Sequence, residues 1–223
     1  MFGIYKLDVG KYDILIFDCD GVIFDTTILK LKAFEETLSD FDDKYIDEFI
    51  NYFKSNFGRS RFIHAKYFIE EILKQPFQLD LYNKIIKDFS LRSEKIYEDA
   101  DLCDGVLELL LKIRDKQLYV ASGSDQAELR KVFKKRDIDQ YFNIIFGSPN
   151  EKVELVKTIC SKYTSKKILM IGDAEADYLA AKNTNIDFLF ISRYSVDHKM
   201  IELSKKEKFM SVFELKEITN IIR

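Results

Sequence analysis

The sequence predicts an α/β fold, with a parallel sheet of at least five strands and a helical domain inserted after the first strand. Residues 14–17 are four consecutive apolar residues bounded by acids, a run typical of a strand buried on both faces. Residues 26–99 carry apolar side chains at helical spacing, without a convincing two-residue alternation. From residue 105 onward, helix-like and strand-like segments alternate, which predicts βαβ crossovers and a parallel sheet.

These elements divide the chain into two predicted domains. Residues 1–25 and 100–223 form the α/β domain, and residues 26–99 form the helical domain, which ends in a long charged helix at 79–98. A tight turn at 21–26 connects the two. Later helices are predicted at 105–116, 126–136, 152–163 and 175–183, and the strands after them at 118–122, 143–146, 167–172 and 188–192. The amphipathic final segment, 202–223, predicts one or two helices at the edge of the sheet.

The composition is typical of a globular, cytoplasmic protein. Of 223 residues, 47% are apolar, which is enough for a sizeable core. No apolar run approaches the roughly 20 residues that span a bilayer, and charges interrupt the first positions, so we expect neither a membrane span nor a signal peptide. The 35 basic and 38 acidic residues are mixed along the chain, so we expect no nucleic-acid partner. The three cysteines are far apart, which favours reduced thiols over a disulfide or a zinc site.

Small and polar residues stand at the carboxyl ends of four predicted strands. In chain order they are Asp18 and Asp20, Ser122 and Gly123, Gly147 and Ser148, and Gly172 and Asp173. The ends of parallel strands converge at one edge of a sheet, where open α/β folds place their ligands. Carboxylates as close as Asp18 and Asp20 repel each other unless a cation lies beside them or one holds a proton. A turn or helix-cap role is the alternative for Asp18 alone, but it does not explain several acids at one edge.

The motifs at these strand ends resemble, in order, the signatures of the haloacid dehalogenase-like superfamily. They are Asp18-Cys19-Asp20-Gly21-Val22, then Ser122 at a strand end, then Lys152 at the start of a helix, then Gly172-Asp173-Ala174-Glu175-Ala176-Asp177. The helical insert resembles the cap of a subclass that includes phosphoglycolate phosphatases and β-phosphoglucomutases. In the commonest pattern the lysine comes immediately before a proline, whereas here Pro149 precedes Lys152. The resemblance implies a Rossmann-like core and a magnesium-dependent enzyme of phosphoryl transfer.

The resemblance also implies a role for each carboxylate. Asp18 is expected to be the nucleophile that forms an aspartyl-phosphate. Asp20 is expected to protonate the leaving alkoxide and then activate water, which requires its pKa to lie above that of Asp18. Asp18, the backbone carbonyl of Asp20 and Asp173 offer the hard oxygen ligands that Mg²⁺ prefers. Asp177, one helical turn further on, is a fourth candidate ligand that is better suited to orienting Lys152 or a water molecule.

The remaining signature residues are expected to bind the phosphoryl group. Ser122 and the backbone N–H of Gly123 would hold phosphoryl oxygens, since a strand end that opens into a helix presents unpaired donors; a plain helix cap is the alternative for Ser122. Lys152 would neutralise the nucleophile and the transferred group. Its place in the first turn of a helix opposes the helix dipole, which mildly favours a functional role. Lys157, in the interior of the same helix, is a weaker candidate.

Two arginines of the insert are candidates for substrate selection. Arg59 and Arg61 follow Gly58, the insert's only glycine, where the resembling enzymes carry a specificity loop. We expect them to contact an anionic or hydroxylated part of the substrate, although ordinary surface arginines are an equally good interpretation. His64 and His198 have no partner at the spacing of a metal site or catalytic triad, and we expect both to be structural or solvated.

The expected activity is Mg²⁺-dependent hydrolysis of a small phosphate monoester, such as a sugar phosphate, a sugar-acid phosphate or phosphoglycolate. Asp20 favours a phosphate ester over a halide substrate, because a departing halide needs no proton. A phosphomutase of the β-phosphoglucomutase type and a catalytically idle binding or regulatory subunit are the alternatives. The expected partner is a small phosphorylated metabolite, and the sequence leaves open whether the protein is a monomer or a homodimer.

Overall fold

The core of the computed structural model, which describes residues 8–206 and 209–219, is a six-stranded parallel sheet. Its strands are β1 (Ile14–Phe17), β2 (Gln117–Asp125), β3 (Ile144–Ser148), β4 (Ile168–Gly172), β5 (Asp187–Ile191) and β6 (Met210–Val212). They lie in the order β3-β2-β1-β4-β5-β6, so β1 pairs with both β2 and β4. The predicted α/β fold with a parallel sheet of at least five strands is confirmed.

Strand β1 is buried on both faces of the sheet, as its uninterrupted apolar run indicates. Leu15 and Phe17 contribute to the apolar cluster on one face, and Ile14 and Ile16 to the cluster on the other. All four side chains are at most 1% exposed. Burial of a side chain of this size stabilises the fold by about 1.5–3 kcal/mol. The strand that precedes Asp18 is therefore held firmly on both sides.

The insert between β1 and β2 is helical. Its helices are α1 (Thr27–Thr37), α2 (Asp43–Ser55), α3 (Arg61–Tyr67), which continues into a π-helical turn (Phe68–Ile72), and α4 (Leu79–Asp99). It has an apolar cluster of its own, in which the Phe34 and Phe89 rings stack with centroids 3.8 Å apart. The two segments that connect the insert to the sheet pair with each other through a bridge between Phe24 and Leu102. Both connections thus leave the sheet side by side, close to the end of β1.

In the part of the chain that the structure describes, six α-helices follow the insert. They are α5 (Val106–Lys112), α6 (Gln126–Lys135), α7 (Lys152–Cys160), α8 (Glu175–Thr184), α9 (His198–Lys206) and α10 (Leu215–Thr219). The prediction for the final segment is incomplete, because β6 lies between α9 and α10 within it; residues 207–208 and 220–223 lie outside the described part. Strand β6 has only three residues, none of them fully buried, and such a short edge strand leaves no clear alternation in the sequence.

The chain's three cysteines, Cys19, Cys103 and Cys160, are free thiols, and the first two are buried. Cys19, between the two acids of the first motif, packs in the apolar cluster on one face of the sheet.

In residues 8–206 and 209–219, no helix combines the length and the apolar character that crossing a bilayer requires.

Candidate active site

Four ionisable side chains predicted from the sequence meet at the carboxyl edge of the sheet. Asp18 follows β1, Asp173 follows β4, Asp177 lies in the first turn of α8, and Lys152 is the first residue of α7. Each is nearly or completely buried, with at most 6% exposure. We call these residues the Lys152 cluster. They come together because parallel strands bring their carboxyl ends to one edge.

Lys152 binds two of the three acids in its cluster. Its Nζ lies 2.6 Å from Oδ1 of Asp177 and 3.0 Å from Oδ1 of Asp18. Oδ2 of Asp177 accepts the backbone N–H groups of Asp173 and Ala174, at 3.3 and 3.1 Å. Both oxygens of Asp177 are thus in use, which leaves this residue to orient Lys152 and the start of α8.

The other carboxylate oxygens of the Lys152 cluster are buried without partners. Within the described residues, Oδ2 of Asp18 and both side-chain oxygens of Asp173 accept no hydrogen bond. One oxygen from each of Asp18, Asp173 and Asp177 lies within 4.8 Å of the others. Buried carboxylates are expensive unless they are paired or coordinate a metal. Unpaired hard oxygens in this arrangement fit a divalent cation such as Mg²⁺.

Two glycines allow the backbone to pass close to these acids. Gly21 has a φ of +75°, and a Cβ atom there would lie 2.3 Å from Oδ2 of Asp173. A Cβ atom on Gly172 would lie 2.2 Å from the Cβ of Asp177. Only glycine fits at either position without displacing an acid of the cluster. The glycines of the first and last motifs therefore shape the site.

Three members of the cluster, Asp18, Asp173 and Lys152, have raised pKa values. Burial raises the pKa of Asp18 to about 7, with a further rise from Asp177 that Lys152 opposes. Burial, with the charges of Asp18 and Asp177, also raises the pKa of Asp173 well above its ordinary value. Although burial opposes it, the two acids beside Lys152 raise the pKa of that ammonium. A bound cation would lower the pKa values of Asp18 and Asp173, because it favours their charged forms.

Asp20, the second acid of the first motif, lies in a different environment. Oδ1 accepts the hydroxyls of Thr26 (2.5 Å) and Tyr97 (2.7 Å), and Oδ2 accepts the Lys30 ammonium (2.6 Å) and the Ser124 hydroxyl (2.8 Å). We call these five residues the Lys30 cluster; each is at most 6% exposed. Every side-chain oxygen of Asp20 is paired, so its carboxylate is not free to bind a cation.

The pKa order expected for the first motif is wrong for the site as the structure shows it. Burial raises the pKa of Asp20, but the Lys30 ammonium and the hydrogen bonds from Thr26 and Tyr97 outweigh burial and lower it below the ordinary value. The expectation placed the pKa of Asp20 above that of Asp18. That expectation rested on the two acids alone. It did not include Lys30, which the insert places beside Asp20.

Lys30 was missed in the sequence, although a signal was present. At helical spacing, Lys30 shares a face of α1 with Ala33, Phe34 and Thr37, all of which are buried. A lysine on the apolar face of a helix is rarely buried unless it is paired. Its position therefore indicated a buried anionic partner, but not which one. Tyr97 and Ser124 gave no comparable signal, because both could be ordinary core or cap residues.

The predicted phosphate-binding residues lie beside the insert. Ser122 is buried, and its Oγ accepts the backbone N–H of Ser124 at 3.1 Å. Gly123 lies where the pairing of β2 with β3 is interrupted, between Ala121 and Asp125. A Cβ atom on Gly123 would lie 2.4 Å from the carbonyl oxygen of Gly58. The loop before α3 thus touches the end of β2 directly.

The two arginines of that loop differ in environment. Arg61 is 3% exposed, and its Nη1 and Nη2 donate to the Glu128 carboxylate at 2.8 and 2.6 Å. The alternative of a surface arginine is wrong for Arg61, which is buried and forms a partly buried bidentate bridge between the insert and α6. Arg59 is exposed. Sequence reasoning could not separate the two, because Glu128 is 67 residues away from Arg61 in the chain.

The two histidines have the structural and solvated environments that the sequence suggested. His64 is 1% exposed, neither ring nitrogen has a hydrogen-bond partner among the described residues, and the Phe53 ring lies 4.7 Å from its own. Burial lowers the pKa of His64 to about 3, with a further contribution from the charge of Arg59. His64 is therefore a neutral core residue at ordinary pH. His198 is exposed at the start of α9.

Two cavities adjoin the clusters. One of about 20 Å³ is lined by Asp20, Lys30, Arg61 and Ser124, together with aromatic side chains of the insert. A larger one of about 290 Å³ is lined by Gly58, Arg59, Gly123 and Lys152 and by residues of α7 and α8. Both lie between the insert and the sheet. The smaller one has space for about one water molecule.

The chain is similar to two curated phosphatases and to solved structures of the same fold. The chain is 27% identical over 189 residues to the pyrophosphatase PpaX of Listeria monocytogenes, covering 78% of this chain and 80% of the relative. It is 23% identical over 226 residues to the phosphorylated carbohydrates phosphatase of Thermotoga maritima, covering 92% and 98%. A solved structure of the same fold is that of YfnB from Bacillus subtilis bound to magnesium, with a TM-score of 0.65, 16% identity and coverage of 95% and 99%.

The family model described as haloacid dehalogenase-like hydrolase matches residues 15–191, well over half of the chain. The matched region begins in β1 and ends in β5, so it includes both clusters and the whole helical insert. The chain therefore belongs to the haloacid dehalogenase-like hydrolase family.

Proposed function

We propose that this protein is a Mg²⁺-dependent phosphatase that hydrolyses a small phosphate monoester through an aspartyl-phosphate. The observation that carries the proposal is the set of buried, unpaired oxygens on Asp18 and Asp173 beside the Lys152 ammonium. A nucleophilic carboxylate, a fixed cation and oxygens suited to a metal ion are the parts that phosphoryl transfer requires. The two relatives with phosphatase names support the same reaction class.

In the first step, a carboxylate oxygen of Asp18 forms a bond to phosphorus while the bond from phosphorus to the ester oxygen breaks. The departing oxygen takes a proton from Asp20, which must therefore carry one in the substrate complex, although its partners in the Lys30 cluster lower its pKa in the site as the structure shows it. In the second step, water attacks the phosphorus of the aspartyl-phosphate, gives a proton to Asp20 and releases inorganic phosphate, which restores the Asp18 carboxylate. Ser122 and the N–H of Gly123 hold phosphoryl oxygens, and Lys152 balances the negative charge near Asp18.

The metal ligands that we propose are Asp18, Asp173 and the backbone carbonyl of Asp20. Mg²⁺ bound there would neutralise charge on the phosphoryl oxygens during transfer. Asp177 has both oxygens occupied, so we assign it to orienting Lys152. The side chain of Asp20 is likewise engaged, which restricts its part in metal binding to the backbone.

We propose further that residues 26–99 are a cap domain over a core of residues 1–25 and 100–223. The insert covers the acids from one side, and its Gly58 loop contacts the Gly123 segment. Arg61 and Arg59 would contact the leaving group, although Arg61 must then share its guanidinium with Glu128. A closed cap excludes water and selects substrates by their size and charge. We place small sugar or sugar-acid phosphates first among the substrates.

The test is phosphate release from a panel of small phosphate monoesters and diphosphate, with Mg²⁺ and with a chelator, for the wild type and Asp18→Asn. We expect Mg²⁺-dependent release from at least one ester, and a loss of at least about 10³-fold in the variant because the nucleophile is removed. Asp115→Asn, an exposed acid, is the matched control and should be unaffected. Undiminished release by Asp18→Asn would overturn the nucleophile assignment. Isomerisation of a sugar phosphate without release would favour a phosphomutase.

A further inference from the structure

The carboxylate of Asp20 is held mainly by the helical insert. Thr26 precedes α1, Lys30 lies in its first turn, and Tyr97 lies near the end of α4. These residues stand at the two connections between insert and sheet, which pair through Phe24 and Leu102. Only the fourth partner, Ser124, belongs to the sheet. The orientation of Asp20 therefore depends on where the insert sits.

Lys30 is the most connected residue of the cluster. Its Nζ lies 2.6 Å from Oδ2 of Asp20, 2.7 Å from the hydroxyl of Tyr97 and 2.5 Å from Oγ of Ser124. An ammonium group has three donors, so all are used. One of these bonds stays within the insert and two cross to the sheet side. Movement of α1 away from the sheet would break the two crossing bonds together.

We propose that Lys30 is a positioning residue for Asp20, through which closure of the insert sets the direction of the Asp20 carboxylate. The inference rests on the proposed function, in which Asp20 passes a proton to the leaving oxygen. In this structure, Lys30 and Ser124 bind Oδ2 of Asp20, while Thr26 and Tyr97 bind Oδ1. With Lys30 absent, Oδ2 loses its charged partner and the carboxylate can turn away from the ester oxygen.

Substrates with different leaving groups separate this role from a general structural one. An alkyl phosphate needs a proton on its departing oxygen, whereas a nitrophenyl phosphate releases a stable anion and needs almost none. A residue that acts through Asp20 should affect the alkyl ester selectively. The ratio of the two activities in one preparation does not depend on the fraction of folded enzyme, so partial misfolding cannot produce the effect.

The variants are Lys30→Met, Asp20→Asn and the double variant, with Lys32→Met as the matched control. Lys32 lies in the same helix and is exposed. We expect Lys30→Met to lower kcat on glycerol phosphate by about 10²-fold and on nitrophenyl phosphate by less than about 3-fold. In the Asp20→Asn background, Lys30→Met should change either rate by less than about 2-fold, because the residue through which it acts is gone. Tyr97→Phe keeps the ring contact with Phe24. It should lower the activity on glycerol phosphate relative to nitrophenyl phosphate, by less than Lys30→Met does.

The outcomes separate this inference from the proposed function. Equal losses on both esters in Lys30→Met, or losses that multiply in the double variant, would overturn the positioning role. If the ratio of the activities on the two esters changes in Asp20→Asn but not in Lys30→Met, the positioning role is also overturned, while the proposed function stands. Equal losses on both esters in Asp20→Asn would remove the general acid from the proposed function, and the role of Lys30 with it. Activity retained by Asp18→Asn would contradict the aspartyl-phosphate step of the proposed function and leave the test of Lys30 and Asp20 unaffected.

Discussion

The Lys152 and Lys30 clusters lie at the same end of β1 and solve the problem of buried charge in opposite ways. In the first, one ammonium faces three carboxylates, and oxygens of Asp18 and Asp173 remain unpaired. In the second, one ammonium faces the single carboxylate of Asp20, and hydroxyls fill its remaining positions. Excess negative charge with unpaired oxygens is the arrangement for which we propose a bound Mg²⁺. Balanced charge with full pairing indicates a cluster that holds the Asp20 side chain in one orientation.

The largest effect on stability should come from removing the one cation of the unbalanced cluster. Lys152→Met leaves three buried acids without a positive partner, and we expect the free energy of unfolding to fall by about 3–5 kcal/mol. Chemical denaturation in the presence of a chelator measures this change. Lys157→Met, on the exposed face of the same helix, should stay within about 0.5 kcal/mol of the wild type. A loss as small as that of the control would mean that the acids do not depend on Lys152.

His64 is a third kind of buried ionisable residue, and it extends the comparison. It has no hydrogen-bond partner among the described residues, and burial keeps its side chain neutral. Its pKa is about 3 in the fold against an ordinary 6.5, so only the unfolded chain gains a proton as the pH falls from 6.5 toward 3. The contribution of His64 to the free energy of unfolding is therefore at its maximum above pH 6.5. It decreases at lower pH, by about 2 kcal/mol at pH 5. His64→Leu should therefore lose about 2 kcal/mol less than the wild type between pH 7 and pH 5 in denaturant titrations.

The matched control for this pH effect is the exposed His198. His198→Leu should leave the difference in unfolding free energy between the two pH values unchanged. If His64→Leu behaves in the same way as His198→Leu, then His64 is not a neutral buried residue.

Effects of opposite sign on stability in the two clusters test the comparison itself. Without metal, Asp173→Asn removes repulsion among three acids and should raise the unfolding free energy by about 1 kcal/mol. Asp20→Asn removes the partner of a buried ammonium and should lower it. Thermal unfolding of both variants with a chelator measures the signs. Destabilisation in both would show that the two clusters are equally balanced.

The sheet and the Lys152 cluster were largely predictable because their signals are local. A buried strand shows as an apolar run, and the acids of a parallel sheet stand directly after such runs, as Asp18 and Asp173 do. Topology then brings the strand ends together. The same reasoning placed Lys152 at the start of a helix, where its contact with Asp177 follows from the fold.

The Lys30 cluster and the Arg61–Glu128 bridge were not predictable in this way. Both depend on how the insert sits against the sheet: Tyr97 and Ser124 are 67 and 94 residues from Lys30. Glu128 is 67 residues from Arg61. No spacing in the sequence fixes that placement, since it results from packing of aromatic side chains such as Phe34 and Phe89. The pKa order of Asp18 and Asp20 was wrong for the same reason. Strand β6 was missed because a short edge strand carries too little pattern.

The most direct test of the central claim is thermal unfolding with and without millimolar Mg²⁺, compared between the wild type and Asp173→Asn. A ligand that binds only the folded state at well above its Kd should raise the Tm of a protein of this size by about 3–8 °C. We predict that rise for the wild type and its loss in Asp173→Asn, which lacks one of the unpaired oxygen donors. An equal rise in both proteins, or none in the wild type, would contradict the assignment of the Lys152 cluster as a magnesium site.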